Sequence, residues 1–341
     1  MPGAPDELLT SLLRDVSRSF YLTLRVLPGA IRPQIGLAYL LARATDTIAD
    51  TLILPVTDRL ATLRRVRERI LGRNPAPLDL SEFARHQGSP VEWMLLERVE
   101  EALGVLETFR PEDQHHVRQA LNVITSGQEL DLHRFAGASA DAIVALDSDE
   151  ELDDYIYRVA GCVGEFWTRM CRTNLFADLD LDDELLLANG VRFGKGLQLV
   201  NILRDLPSDV RQGRCYLPSN RLWAVGMTPS DLLQPTNAPR LQPLYDSYLA
   251  QAGEHLAAGW EYTNALPRSQ VRVRLACAWP ILIGAQTLEK LRGGNMLAPE
   301  LHIKVRRSEV YSIIARTIFW YPLPRRWQRI FIPPQEAEIE S

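Results

Sequence analysis

The chain has 341 residues, 46% of them hydrophobic and 24% charged, with a formal net charge of -5. That length can bury a large core, and the acidic balance gives no electrostatic basis for binding nucleic acid. Its four cysteines, Cys162, Cys171, Cys215 and Cys277, form no CxxC pair, which argues against a disulfide framework or structural zinc and for a reducing cytosol. No apolar run approaches the ~18 residues of a bilayer span, and Met1 to Ser19 is too polar for a signal peptide. The expectation is a cytoplasmic protein.

Helical periodicity dominates in chain order. Leu8, Leu9, Leu12, Leu13 and Val16 recur at three and four and predict an N-terminal helix. Ile35 to Ile48 is apolar most of the way round, which predicts a central helix. Leu60, Leu63, Val66 and Ile70 predict an amphipathic one. The pattern continues through Leu95, Val99, Leu103 and Leu106, then Val117, Leu121 and Ile124, and Leu185 to Leu203 predicts a second central helix. Breaks are expected at Pro28-Gly29, Pro55, Asn74 to Pro77, Gly137, Pro207, Gly213 to Pro218, Gln234-Pro235 and Gly293-Gly294. Nothing alternates at period two, and no repeat or low-complexity linker is present. The fold class read from this pattern is all-α, a single large helical domain over residues 1–341. Its core lies at about 15–310, with a looser N-terminal arm and an acidic tail, Glu336 to Glu340.

Two stretches carry chemistry. Asp46 and Asp50 stand four apart at the end of an apolar segment with Arg43 upstream, and Asp205 and Asp209 repeat the arrangement after Arg204. On a helix, Tyr39, Arg43, Asp46 and Asp50 form one stripe, and Gln198, Asn201, Asp205 and Asp209 form another. Pro55 and Pro207 predict that both helices end close to their aspartates. Stability alone disfavours that placement. An acid at a helix C-terminus costs up to ~1 kcal/mol, and like charges at i and i+4 add ~0.2–0.5 kcal/mol. Either pair alone reads better as solvated surface aspartate; two pairs on mostly apolar helices reverse this and favour a cation site. Hard oxygen ligands select Mg²⁺, which binds through carboxylates and substrate phosphates. A diphosphate leaving group needs such a site, with arginine forks to absorb its charge. Arg18, Arg43, Arg204, Arg211 and Arg214 are near in sequence. No glycine-rich phosphate loop is present, so metal and side chains would hold the diphosphate.

Four ordered blocks, Ser17-Arg18-Ser19-Phe20, Tyr39 to Asp50, Tyr155 to Gly164 and Gln198 to Pro218, resemble those of the squalene/phytoene synthase family. The resemblance covers about residues 15 to 310. It implies an all-α fold with two aspartate-rich motifs facing across a central cavity, and head-to-head joining of two isoprenoid diphosphates through a cyclopropyl intermediate. Carried over, Asp46, Asp50, Asp205 and Asp209 would bind Mg²⁺. Ser17, Arg18, Ser19, Phe20, Tyr39, Arg43, Gln198, Asn201, Arg204 and Arg214 would line the diphosphate site. Tyr155 matches the tyrosine implicated in proton removal during ring closure. Ala49 and Ser208 depart from the acidic residues of many members, and Pro207 interrupts the second motif.

The C-terminal third bears on the branch. Cys277-Ala278-Trp279-Pro280 and His302 to Arg307 resemble the squalene-synthase branch, implying NADPH contacts at Asn201, Lys304 and Arg306. A solvated basic face is the competing reading. Ala276 departs from the phenylalanine of that branch, and Gly213 to Pro218 reads like phytoene synthases. The expected reaction is condensation of two farnesyl diphosphates and NADPH-dependent reduction to squalene, with a phytoene or dehydrosqualene synthase as the alternative. A non-catalytic helical scaffold and a class I terpene cyclase are remoter readings. The acidic runs at Asp147 to Asp154 and Asp178 to Glu184 read as loops and helix N-termini, and His115-His116 lacks ligand partners at useful spacing. Ile318 to Phe331 mixes aromatics with arginine, as a membrane-interface segment or a packed C-terminal helix would. The protein is expected to be a monomer, with peripheral membrane contact through that segment.

Overall fold

The computed structural model describes residues 8–17, 21–298 and 303–331. The chain is all-α as expected. Its contacts divide it into two compact units, Met1–Ala136 with Phe166–Asp180, and Gly137–Glu165 with Leu181–Ser341.

In the first unit a π-helical turn, Leu8–Leu12, leads into α1 (Leu13–Ser17), followed by α2 (Tyr21–Val26), α3 (Arg32–Ala49) and α4 (Val56–Ile70). Then come α5 (Ser81–Arg85), α6 (Pro90–Glu97), α7 (Val99–Glu107) and α8 (Pro111–Arg134). Prolines sit at the starts of α3, α6 and α8, where the missing N–H has no helical partner to lose. Helix α3 is central and packs against α4, α6, α7 and α8. It buries Ile35, Leu37, Leu40, Leu41, Ala44 and Ile48 around most of its circumference. It ends at Asp50, whose N–H bonds the Asp46 carbonyl at 2.9 Å. The sequence places no cation in its last turn. Arg59 of α4 supplies one, buried and donating from Nη1 to the Ala49 carbonyl at 2.7 Å.

The second unit contains α9 (Asp149–Ile156), a π-helical turn (Tyr157–Gly161), the first turn of α10 (Cys162–Leu175) and the long α11 (Asp183–Arg211). It continues with α12 (Ser219–Ala224), α13 (Ala238–Ala265), α14 (Val271–Arg292), α15 (Arg307–Trp320) and α16 (Pro324–Gln328). Asp182 caps α11, its carboxylate accepting from Leu185 N at 2.9 Å, and α9 opens on Asp149, Glu150 and Glu151. Both acidic runs are helix starts, as read from the sequence. Helix α11 is the axis of this unit, packed against α13, α14 and the π-helical turn. Close backbone approach sets that last contact. A Cβ on Gly164 would collide with the Gly190 carbonyl, and one on Gly194 with the Ala160 carbonyl. The two pairings run in opposite directions along the chain, so the helices cross antiparallel with backbone against backbone.

The expected break at Pro207 is wrong. Helix α11 continues through it to Arg211, because the carbonyl that Pro207 cannot serve is satisfied from elsewhere. Proline removes one i→i−4 bond, leaving the Leu203 carbonyl without its helical donor, and Tyr245 of α13 donates its hydroxyl there at 3.0 Å. The expected break at Gly213 is present, with Gly213 at φ 86°. It leads into β2 (Arg214–Cys215), which pairs in parallel with β1 (Val144–Ala145), a two-residue element too short to alternate in the sequence. All four cysteines are buried and free.

The C-terminal segment is packed on one side and exposed on the other. Trp327 and Phe331 are buried and stack on Trp260 at 5.2 and 5.7 Å. Ile318 and Phe319 are 54% and 69% exposed. Among the described residues no helix is long and apolar enough to cross a membrane.

Candidate active site

The first motif lies on the last two turns of α3. Tyr39, Arg43 and Asp46 are half-buried and Asp50 is exposed, so the stripe is the face of a helix whose other sides are covered. Arg43 holds two acids, donating to Asp46 Oδ2 and to Glu92 Oε1 at 2.6 Å each. Burial works against the charge on Arg43, yet Asp46 and Glu92 together hold its pKa above the ordinary value. The Asp46 carboxyl is pushed up to about 6, first by lost solvation and then by the neighbouring charge of Asp50, against the pull of Arg43. Three carboxylates, Asp46, Asp50 and Glu92, gather around the one guanidinium of Arg43 and leave this face of α3 with an excess of negative charge. Glu92 escaped the sequence reading; an acid in the first turn of α6 looks like ordinary helix-start charge.

Of the Ser17 block, Ser17 is 3% exposed and its hydroxyl has no hydrogen-bond partner among the described residues. Arg18, Ser19 and Phe20 lie outside the described residues.

The second motif lies near the end of α11. Gln198, Asn201, Asp205 and Asp209 are half-buried, between the buried Leu199, Val200, Ile202, Leu203, Leu206 and Val210. Arg204 clamps Asp205 with two parallel bonds, Nε to Oδ1 at 2.8 Å and Nη2 to Oδ2 at 2.5 Å. Asp205, by this bond and its charge, and Asp209, by its charge, raise the Arg204 pKa against burial. Because α11 runs on past Pro207, Asp205 and Asp209 keep the helical spacing that the break would have destroyed. Asp209 also adds to the burial that pushes the Cys215 thiol up to about 12. Arg214 is half-buried in β2.

Tyr155 stands at the end of α9, immediately before the π-helical turn, a local widening of the helix that often marks functional sites. It is 8% exposed and stacks on Tyr216 at 4.6 Å with 23° between the rings. Tyr216 directly follows β2, so the stack joins Tyr155 to the segment leaving the second motif. Nothing in the sequence marked Tyr216 for this role.

Lys304 and Arg306 are exposed. Arg306 N bonds Glu309 Oε2 at 2.6 Å, and Lys290 pairs with the same oxygen at 2.6 Å, which fixes the start of α15 and leaves both basic side chains at the surface. His302 lies outside the described residues. His116 contacts Thr173 and is held below its ordinary pKa by burial.

The residues fit a divalent cation in their donor set: hard carboxylate oxygens, paired on a helix face, one of them held protonated to unusually high pH by crowding. Among the described residues no group of three or more His, Cys, Asp or Glu is gathered for a metal, and Arg43 and Arg204 pair with Asp46 and Asp205.

An Asp/Arg cluster thus stands near the end of each of two helices, and comparison with known proteins shows which fold carries them. The chain superposes on TcSQS bound to the ligand E5700 with a TM-score of 0.75, at 20% identity over 92% of this chain and 86% of that one. It superposes on the squalene synthase HpnC of Alicyclobacillus acidocaldarius with a TM-score of 0.61, at 19% identity over 86% and 94%. At those identities the likeness concerns the fold alone. The squalene/phytoene synthase family profile matches residues 13–309, and this chain belongs to that family of head-to-head prenyltransferase-type synthases. It is 27% identical to the presqualene diphosphate synthase of Rhodopseudomonas palustris over 87% of this chain and 91% of the relative. To that of Sinorhizobium fredii it is 32% identical over 74% and 77%. It is 28% identical to the bifunctional lycopene cyclase/phytoene synthase of Gibberella fujikuroi over 85% of this chain, but spans only 49% of that longer relative.

Proposed function

We propose that the chain joins two farnesyl diphosphates head to head, releasing one diphosphate and forming presqualene diphosphate. The observation that carries this reading is the repeated Asp/Arg cluster on two otherwise buried helices. The likeness to presqualene diphosphate synthases, over 87% and 74% of this chain, supports it. Mg²⁺ held by Asp46, Asp50, Asp205 and Asp209 would neutralise the charge that grows on the departing diphosphate. Arg43 stays oriented by Glu92 when its other fork turns from Asp46 to a phosphate oxygen. Arg204 exchanges Asp205 in the same way, while Arg214 and the Ser17 hydroxyl offer further donors. Tyr39, Gln198 and Asn201 complete the two stripes, with Arg18, Ser19 and Phe20 assigned to the same diphosphate site. Tyr155, buried against Tyr216, removes the proton lost as the cyclopropane closes, where burial keeps water from capturing the cation.

A second reading adds reduction to squalene with NADPH, making the chain a squalene synthase (farnesyl-diphosphate farnesyltransferase). It is favoured by the exposed Lys304 and Arg306, available to cofactor phosphates near Asn201 in the sequence pattern of that branch. One assay tests both: purified chain, farnesyl diphosphate and Mg²⁺, with and without NADPH, products identified by mass. Presqualene diphosphate regardless of NADPH supports the first reading. Squalene only with NADPH, lost in the Lys304→Ala/Arg306→Ala double variant while condensation continues, supports the second. Turnover of geranylgeranyl diphosphate alone, to phytoene, rejects both.

A further inference from the structure

Outside the aspartate motifs, an excess of cationic donors collects where α13, α14 and the C-terminal segment of the second unit come together. Arg274, in the first turn of α14, is 5% exposed. Its Nη2 donates to Asn264 Oδ1 at 2.8 Å, its Nη1 reaches the Leu266 carbonyl at 3.4 Å, and its Nε has no hydrogen-bond partner. Asn264 Oδ1 is shared with the Trp327 indole N–H at 2.8 Å, so this side-chain acceptor is already divided. The rings of Tyr321 and Trp327 cover the guanidinium at 5.6 and 5.5 Å. No carboxylate among the described residues pairs with it.

A buried guanidinium without a counter-ion is an unstable arrangement. Burial lowers the Arg274 pKa, and Arg268 lowers it further, against the support of Tyr321. The helix makes this worse. A helix N-terminus carries partial positive charge and favours anions. Helix α14 has no acid in its first turn; it carries Arg272 and Arg274 there, with Arg268 just before. These groups border a cavity of about 120 Å³ lined by Asn264, Arg268, Arg274, Tyr321, Trp327 and Gln328, among others. A water occupies ~30 Å³ in the liquid, so the space holds a group the size of phosphate.

We propose that this cavity is a binding site for a phosphate-sized oxyanion, held between the buried Arg274 and the exposed Arg268. The anion takes a fork from Arg268, the geometry in which guanidinium matches an oxyanion, beside the Arg274 guanidinium, whose charge no carboxylate among the described residues offsets. Free phosphate and the head group of an anionic phospholipid share this chemistry. Phe319 and Leu323, exposed at 69% and 48%, flank the cavity residue Tyr321 in the sequence.

The test uses the full chain in EDTA at constant ionic strength. Melting temperature is followed against inorganic phosphate with chloride as control, and co-sedimentation with phosphatidylcholine vesicles with and without phosphatidic acid. The wild type is expected to show a saturable rise in melting temperature, with affinity at least tenfold weaker in Arg268→Gln and retained in Arg43→Gln. Arg268 is exposed, so its replacement leaves the packing of Arg274 intact. Phosphatidic-acid-dependent sedimentation lost in Arg268→Gln assigns the anion to a lipid head group. A phosphate response without sedimentation assigns it to free phosphate. No saturable response above chloride, or one equal in wild type and Arg268→Gln, means that Arg274 only struts the aromatic rings and overturns the proposal.

Discussion

The Tyr245 hydroxyl donates to the Leu203 carbonyl at 3.0 Å, the acceptor that Pro207 has no N–H to serve. This one bond keeps α11 helical through the turn that carries Asp205 and Asp209. The Ser208 hydroxyl reinforces the same turn by donating to the Asp205 carbonyl at 2.8 Å.

Tyr245→Phe should therefore destabilise the fold by ~1–3 kcal/mol, the cost of a buried acceptor left unpaired. In a Pro207→Ala background the restored N–H serves Leu203, and the same change should cost much less. Urea unfolding of the four proteins checks this. Equal losses in both backgrounds would show that Tyr245 stabilises by packing alone.

Asp46 gives a pH dependence. Its carboxyl is raised from 3.8 to about 6 in the fold, so between those values the folded state holds a proton that the unfolded chain has released. The contribution of Asp46 to the stability of the metal-free protein is then full below pH ~4 and is lost as pH rises through about 6. The side chain is 44% exposed, and solvent screening reduces the effect well below the full linkage value. Melting curves in EDTA from pH 4 to 8 should show this slope in wild type and lose it in Asp46→Asn. The same slope in the variant would move the titration to another group.

Asp46→Asn and Asp205→Asn should each lower turnover by orders of magnitude with the circular dichroism spectrum unchanged. In Asp46→Asn the Arg43 guanidinium keeps Glu92, so the helix end stays in place while the cation site loses a charge. Asp209→Asn should act similarly, because α11 holds it in register with Asp205. Near-wild-type product formation at saturating Mg²⁺ in either principal variant would remove these residues from the metal site.

Tyr155→Phe retains the stacked ring against Tyr216 and deletes only the hydroxyl. Substrate binding should persist while product formation collapses. Tyr157→Phe is the control: its hydroxyl bonds Glu165 Oε2 at 3.2 Å, and its loss should leave turnover within a few-fold of wild type. Similar losses in the two variants would reassign Tyr155 to packing.

How far the sequence could be read follows from the range of each signal. The stripes on α3 and α11 were visible because residues four apart share a helix face, and the chain needs no distant partner to place them there. The fate of Pro207 was invisible, because the compensating hydroxyl comes from Tyr245, on another helix. The same holds for Glu92 beside Arg43 and for Tyr216 beside Tyr155, contacts made across long loops of sequence. The β1–β2 pair spans two residues a side, shorter than any alternation. Arg59 on the Ala49 carbonyl was equally out of reach, because the cation at the end of α3 comes from a neighbouring helix.

Gly164 against Gly190 and Gly194 against Ala160 put peptide planes, with no side chain between them, where two helices meet. Most helix contacts act like a cushion, in which a lost methyl group lets the partners settle slightly. This one has no cushion to compress. The π-helical turn after Tyr155 and the long helix carrying Asp205 are thus keyed together like two gears meshed at the tooth root. A methyl group added at Gly164 or Gly194 would meet the Gly190 or Ala160 carbonyl, a backbone group that cannot turn aside as a side chain does, and would force the two helices apart.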